Sequence, residues 1–316
     1  MTLDPFKLAD AILTGGRSNV ASPSQHRLRP LGKSGLQVPA MAWGMWRLSG
    51  ETGPARALVE TALDNGLTLL DTADIYGEPF GDAEVILGRV LADAPHLRDR
   101  MVLATKGGII PGVPYCSSTD YLIAECEASL TRMGVECVDL YQVHRPDHLT
   151  HPHDVAEAFS RLRQAGKIRA AGVSNYTVAQ TRALLAYMDF PLASLQPEFS
   201  ALAIDGLYDG VMDLALEQDL AVLAWSPLGR GAIATGEGLP RAAEVCAELD
   251  RIAAREGVSR TVVAYAWIMA HPTGAIPIVG SQQKGRIVEA LDALKVKLDR
   301  ADWYAVLTAA RGERLP

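Results

Sequence analysis

Four residues with complementary acid–base chemistry stand at or just beyond the ends of apolar, strand-forming runs. LLDTADIYG (69–77) puts Asp71 at the end of one run and Tyr76 a few residues on, Lys106 closes MVLATK (101–106), and His144 lies in DLYQVHR (139–145). A core strand ending on an unpaired carboxylate is strongly disfavoured, so Asp71 needs a cation, and Lys106 is the expected one. A free tyrosine titrates near 10; an ammonium beside Tyr76 would lower that value by favouring the phenolate, and Asp71 would keep the lysine charged. A histidine at the next strand end can donate a hydrogen bond to a carbonyl oxygen and orient it. The set suits delivery of a proton to an oxygen that gains charge while its carbon is attacked. None of the four can supply a hydride, so a cofactor must. Asp74, within the same stretch, is read as a cap of the turn before Tyr76, without a chemical role.

Eight strand-like runs would have to hold these groups: 38–44, 67–73, 101–106, 139–145, 168–175, 194–200, 220–227 and 275–281. Helical stretches separate them, such as TGPARALVETALDNG, with apolar residues at three- and four-residue spacing and an Asn-Gly end. Regular alternation of this kind over most of the chain predicts a (β/α)8 TIM barrel, with an open doubly wound sheet as the alternative. In a barrel the C-terminal strand ends share one rim. That rim would gather Asp71, Tyr76, Lys106, His144, the pair Ser174-Asn175, and Gln196. Residues 1–26 form an N-terminal extension of linker-like composition, and 27–316 a single domain.

The 316 residues are 48% hydrophobic and 21% charged, with a net charge of −7, an ordinary globular composition without a basic face for nucleic acid. Four cysteines without a CxxC pair read as reduced thiols, and no run is long and apolar enough to span a membrane. The N-terminus lacks a secretion-signal pattern, so a cytoplasmic location is expected. His144, His148, His151 and His153 crowd one segment, but they straddle a strand end and a proline-containing loop, so no metal site is expected. GRGAIA (229–234) matches the dinucleotide fingerprint, yet TGEG follows where a helix should begin. A loop closing over a cofactor is the better reading.

LLDTADIYG, ATK, DLYQVHRPD, AGVSNY and AWSPLGRG together resemble, in order and spacing, the successive signatures of the aldo-keto reductase family over roughly residues 28 to 293. The resemblance implies reduction of aldehydes or ketones by NADPH. It makes Tyr76 the general acid, Lys106 and Asp71 the groups that tune it, and His144 the donor that orients the carbonyl. It likewise implies that Ser174, Asn175 and Gln196 hold the nicotinamide carboxamide and that Trp225 stacks on its ring. Ser226, Leu228 and Gly229 would lie around the pyrophosphate, and Gly280, Ser281, Gln282 and Arg286 around the adenosine phosphate. Trp46 would be a wall of the substrate pocket. Many members carry a lysine where this chain has Gly280, which leaves Arg286 as the main side chain for the 2′-phosphate and NADH use open. A small aldehyde or ketone is the expected partner. The alternative function is an NADP(H)-binding redox-sensing regulatory subunit with slow turnover. A Schiff-base lyase built on Lys106 would leave Tyr76 and the cofactor segments unexplained.

Overall fold

The computed structural model describes residues 28–315; the expected extension, 1–26, lies outside the described residues. Strands β3 (Ala42–Gly44), β4 (Leu69–Asp71), β5 (Val102–Gly107), β6 (Val138–Val143), β7 (Ile168–Ser174), β8 (Ser194–Gln196), β9 (Ala221–Ala224) and β10 (Ile276–Val279) pair in parallel, and β10 returns to β3 to close an eight-stranded barrel. The first expected run, 38–44, is two elements. Its start belongs to a short antiparallel hairpin of β1 (Arg29–Pro30) and β2 (Gln37–Val38), and only its end enters the barrel.

The two-residue side-chain period of a strand explains how one sequence builds both a core and a site. Residues alternating outward, among them Trp43, Leu70, Leu103, Tyr141, Val173, Leu195, Val222 and Val279, join the large apolar core under the helices. The inward residues start apolar at the N-terminal end. Ala42, Leu69, Ala104, Leu140, Ala170, Leu223 and Ile276 form a second cluster, which Leu31, Leu36 and Val38 of the hairpin plug from below. One or two steps along the same strands the inward positions become Asp71, Lys106, Gln142, Ser174 and Gln196, all buried. Polarity therefore rises along the barrel axis toward the C-terminal rim.

Helices α1 (Thr52–Asp64), α2 (Asp82–Asp93), α3 (Thr119–Met133), α4 (Pro152–Gln164), α5 (Val178–Leu185), α6 (Val211–Gln218), α7 (Ala232–Thr235), α8 (Ala242–Glu256), α9 (Arg260–Met269), α10 (Lys284–Ala290) and α11 (Arg300–Arg311) complete the outer layer. The interior of α1 is set by Ala55, Val59, Ala62 and Leu63, one face of a 3.6-residue helix. His153 lies at the start of α4, capped by His151. Trp303 of α11 stacks on Trp267 of α9 at 4.9 Å, and each indole N–H donates to the other residue's carbonyl, so both are packing residues of the outer layer. The glycine-rich segment, expected as a loop closing over a cofactor with no helix beginning in it, is a tight turn running straight into the short helix α7. Among the described residues no helix is long and apolar enough to cross a membrane.

Helices α2 and α3 approach closely at Gly88, where an added Cβ would lie 2.3 Å from the Arg132 carbonyl oxygen. Helix propensity alone predicts that Gly88→Ala stabilises by about 1 kcal/mol. The close approach predicts the opposite, a loss of about 1–3 kcal/mol from forced separation of the helices. A fall in the thermal midpoint of this variant is the expected outcome, and a rise would show that α2 can move away freely.

Candidate active site

Lys106 projects inward from β5 and is 0% exposed. Its ammonium donates to Asp71 Oδ2 at 2.7 Å, to the Thr72 carbonyl at 2.7 Å and to the Tyr76 hydroxyl at 3.3 Å, so all three protons are used. The pairing foreseen between Asp71 and Lys106 is present. A buried ion pair of this kind is poor evidence for stability, since desolvation offsets the attraction; its effect is to place a charge. The turn that carries Tyr76 is held by backbone bonds: Thr72 N–H donates to Ala104 O, Asp74 N–H to Lys106 O, and Tyr76 N–H to Ala73 O.

The expectation that Lys106 lowers the Tyr76 pKa meets a larger opposing effect. Burial pushes the phenol above its ordinary value, Lys106 pulls it down, and Asp71 and Asp74 push it up; the net shift is upward. The phenol is thus kept protonated at neutral pH, the form a proton donor requires. The Lys106 ammonium limits the rise.

His144 follows β6, with its ring edge-on to Tyr76 at 5.7 Å between centroids. Its backbone N–H donates to Gly107 O, while its ring Nδ1 is buried without a hydrogen-bond partner. Burial holds its pKa well below the ordinary histidine value, helped by the charges of Lys106 and Arg145. The imidazole is therefore neutral and can offer one N–H to an uncharged carbonyl oxygen.

A hydrogen-bonded chain leads from this set across the rim. Gln196 Nε2 donates to Asp71 Oδ1 at 3.0 Å, and Ser174 Oγ donates to Gln196 O at 2.8 Å. Asn175 Nδ2 donates to Ser174 Oγ and to His144 O, and Trp225 Nε1 donates to Asn175 Oδ1 at 2.9 Å. Ser174, Asn175, Gln196 and Trp225 are thus brought together with the acid–base set. Ser226, Leu228 and Gly229 follow β9 in the tight turn, where Gly229 N–H donates to Ser226 O and Arg230 N–H to Ser226 Oγ. Asn175, Ser226 and Arg230 all have positive φ, a conformation side chains resist and one that gathers at functional sites. Gly280, Ser281 and Gln282 follow β10: Trp43 Nε1 donates to Ser281 O, and Gln282 Nε2 to Gly44 O. Arg286 lies exposed in the first turn of α10. Trp46 stands at the rim after β3, 60% exposed, with the Arg47 guanidinium 5.0 Å from its ring centroid.

Three features escaped the sequence reading. Arg145, next to His144, lies 5.5 Å from the Trp225 ring centroid and belongs to no ion pair among the described residues. Lys284 shares the first turn of α10 with Arg286. Asp74 is no turn cap: it is 6% exposed and its Oδ1 is buried without a hydrogen-bond partner. The described residues contain no cluster of histidine, cysteine and acidic side chains arranged to hold a metal.

The family model described as "Aldo/keto reductase family" matches residues 40–310. This chain belongs to the aldo/keto reductase family. It is 52% identical over 301 residues to a 6-dehydroglucose reductase of Novosphingobium aromaticivorans, covering 93% of this chain and 99% of the relative. A 6-dehydroglucose reductase of Agrobacterium fabrum is 36% identical, over 89% of this chain and 97% of the relative. A thermostable aldo-keto reductase solved with the inhibitor epalrestat superposes with a TM-score of 0.79 at 23% identity, over 90% of this chain and 99% of that one. The barrel foreseen from the strand rhythm is the family's fold, and the chain is a nicotinamide-dependent oxidoreductase.

The lowered His144 pKa has a consequence for stability. An unfolded histidine takes up a proton near pH 6.5, whereas folded His144 does so only well below that. The unfolded chain then binds more protons, so stability falls as pH drops through about 6.5. Urea midpoints at pH 7.5 and 5.0 should differ more for the wild type than for His144→Asn. Equal differences would mean that the imidazole accepts its proton in the folded state.

Proposed function

We propose that this enzyme reduces the aldehyde group of a hydroxylated, sugar-like substrate with NADPH, using Tyr76 as the general acid. The observation that carries the reading is the buried Lys106 ammonium bonded to both Asp71 and the Tyr76 hydroxyl, beside a neutral histidine with an unpartnered ring nitrogen. A carbonyl oxygen placed between Tyr76 and His144 would receive a hydrogen bond from each. As negative charge grows on that oxygen, the Tyr76 proton moves to it, and the phenolate left behind is stabilised by Lys106, itself fixed by Asp71.

The residues present fit a nicotinamide dinucleotide. Gln282 Oε1 is buried with no partner, an acceptor awaiting a donor such as an adenine amino group. An added Cβ on Gly280 would meet nothing, which leaves open space beside it. The bound cofactor supplies the hydride. Asn175 and Gln196, with Ser174 bracing them, would hold the carboxamide, and Trp225 would carry the ring. Ser226, Leu228 and Gly229 would flank the pyrophosphate. Gly280, Ser281 and Gln282 would face the adenosine, and Arg286 with Lys284 the 2′-phosphate, where arginine's bidentate geometry suits a phosphate.

The substrate class rests on two relatives named 6-dehydroglucose reductases and on the rim itself. Trp46 offers an exposed aromatic face to the C–H face of a sugar ring. Arg145 offers N–H donors to its hydroxyls, free of any carboxylate partner among the described residues.

Tyr76→Phe should lower kcat for NADPH-dependent aldehyde reduction by roughly 10²–10⁴-fold and leave NADPH affinity nearly unchanged. Retained activity would remove Tyr76 from the acid role. Arg286→Ala should weaken NADPH binding by about tenfold or more, the scale of a charge-assisted phosphate contact, with little change for NADH. Equal losses for both cofactors would exclude it from the 2′-phosphate site.

A further inference from the structure

Behind Tyr76 lies a buried electrostatic cluster that the reaction as described leaves unused. Asp74 sits two residues before Tyr76, and its backbone N–H is bonded to Lys106 O at 3.0 Å. Glu84 of α2 is 0% exposed; its Oε1 accepts from the Thr105 hydroxyl and its Oε2 from Arg132 Nε of α3. Glu125, also of α3, lies 3.7 Å from the same guanidinium. Three carboxyl groups thus share one arginine, and the two glutamates already hold it. Asp74 is left with an unpartnered buried oxygen. The phenols of Tyr121, Tyr141 and Tyr76 also feel Asp74, and all three are raised above their ordinary pKa and stay neutral. Gly107 makes the room: a Cβ there would meet the Tyr141 hydroxyl at 2.2 Å and come within 3.5 Å of Asp74 Oδ2. Lys106, the remaining nearby cation, has all three protons committed to Asp71, Thr72 and Tyr76.

We propose that Asp74 is a positioning residue that works as an uncharged carboxyl group, and that loss of its proton sets the upper pH limit of carbonyl reduction. The proton goes to solvent, and the anion left behind puts a second negative charge beside the Lys106–Tyr76 pair. That charge makes the phenol a weaker acid and competes with Asp71 for Lys106. Burial first, then the charges of Glu84 and Glu125, raise the Asp74 pKa to about 8, against the smaller opposing pull of Arg132 and Lys106. An unfolded aspartate releases its proton near 3.9. Between that value and about 8 the folded state therefore binds more protons, and its stability falls as pH rises. The proposal rests on the reading of Tyr76 as the acid.

The test is the pH profile, from 6 to 10, of kcat/KM for NADPH-dependent reduction of 4-nitrobenzaldehyde, with thermal midpoints at each pH. It compares wild type, Asp74→Asn, Glu84→Gln and Tyr76→Phe. The wild-type activity should fall with a midpoint near 8. Asp74→Asn, which imitates the neutral acid, should move that midpoint up by about one pH unit or more and should melt higher than wild type at pH 9. Glu84→Gln removes a charge that raises Asp74, so its midpoint should move down. A midpoint that stays or falls in Asp74→Asn would overturn the proposal, because the limb would then belong to Tyr76 or another group. Should Asp74→Asn fail to fold, Glu84→Gln decides alone, and a midpoint that does not move down in that variant overturns the proposal. Tyr76→Phe separates the two readings. Full activity there sinks the acid assignment, while an inactive Tyr76→Phe with an unmoved limb in Asp74→Asn sinks only this inference.

Discussion

The buried ammonium of Lys106 is the constraint on which the site depends. A fully buried lysine loses its hydration and must recover it from fixed groups. Here Asp71 Oδ2, Thr72 O and Tyr76 Oη take the three protons. Each acceptor is thereby held in place: Asp71 at the end of β4, the turn that begins at Thr72, and the phenol that ends it. The turn is held by its backbone bonds as well, and the ammonium adds the one bond that reaches the Tyr76 hydroxyl. Packing the ion pair into the barrel axis therefore gains geometry rather than stability, consistent with the small net energy expected of buried pairs.

That geometry extends across the rim because Asp71 has a second oxygen. Oδ1 accepts from Gln196, whose carbonyl accepts from Ser174 Oγ and from the Asn175 N–H, and Asn175 in turn orients both the Trp225 indole and the segment after His144. The groups proposed to transfer a proton and those proposed to hold the nicotinamide thus belong to one network, with β4, β5, β7, β8 and β9 as its mounts. Polar atoms buried in this way are stabilising only when satisfied together, so Trp225 is linked to Asp71 through Asn175 and Gln196.

How much of this was legible follows from which interactions are local to a strand. Asp71, Lys106, Ser174 and Gln196 could be read because period-two alternation carries an inward apolar residue to an inward polar one at the strand end, as from Leu69 to Asp71 or from Ala104 to Lys106. The split of 38–44 into a hairpin strand and a barrel strand was hidden, since Val38 and Ala42 are apolar for different reasons: one plugs the barrel floor and the other lines its wall. The helix that begins after β9 was hidden because Gly229, Arg230 and Gly231 all adopt positive φ, a tight turn that glycine content cannot distinguish from a longer loop. The direction of the Tyr76 shift was missed because the presence of Lys106 is visible in the sequence and the depth of burial is not.

Asp74 shows the same limit most sharply, since its environment is assembled from α2, α3 and β5, whose packing side by side the sequence does not display. In isolation an aspartate before a turn is a cap. Here, packed against Glu84 and a single shared arginine, it cannot carry a charge without unbalancing the cluster. The two aspartates of one short loop then divide between opposite states for one reason. Asp71 meets the lysine directly and Asp74 only through the backbone. The three Lys106 protons go to Asp71, Thr72 and Tyr76, so none of that cation's bonds is left for Asp74.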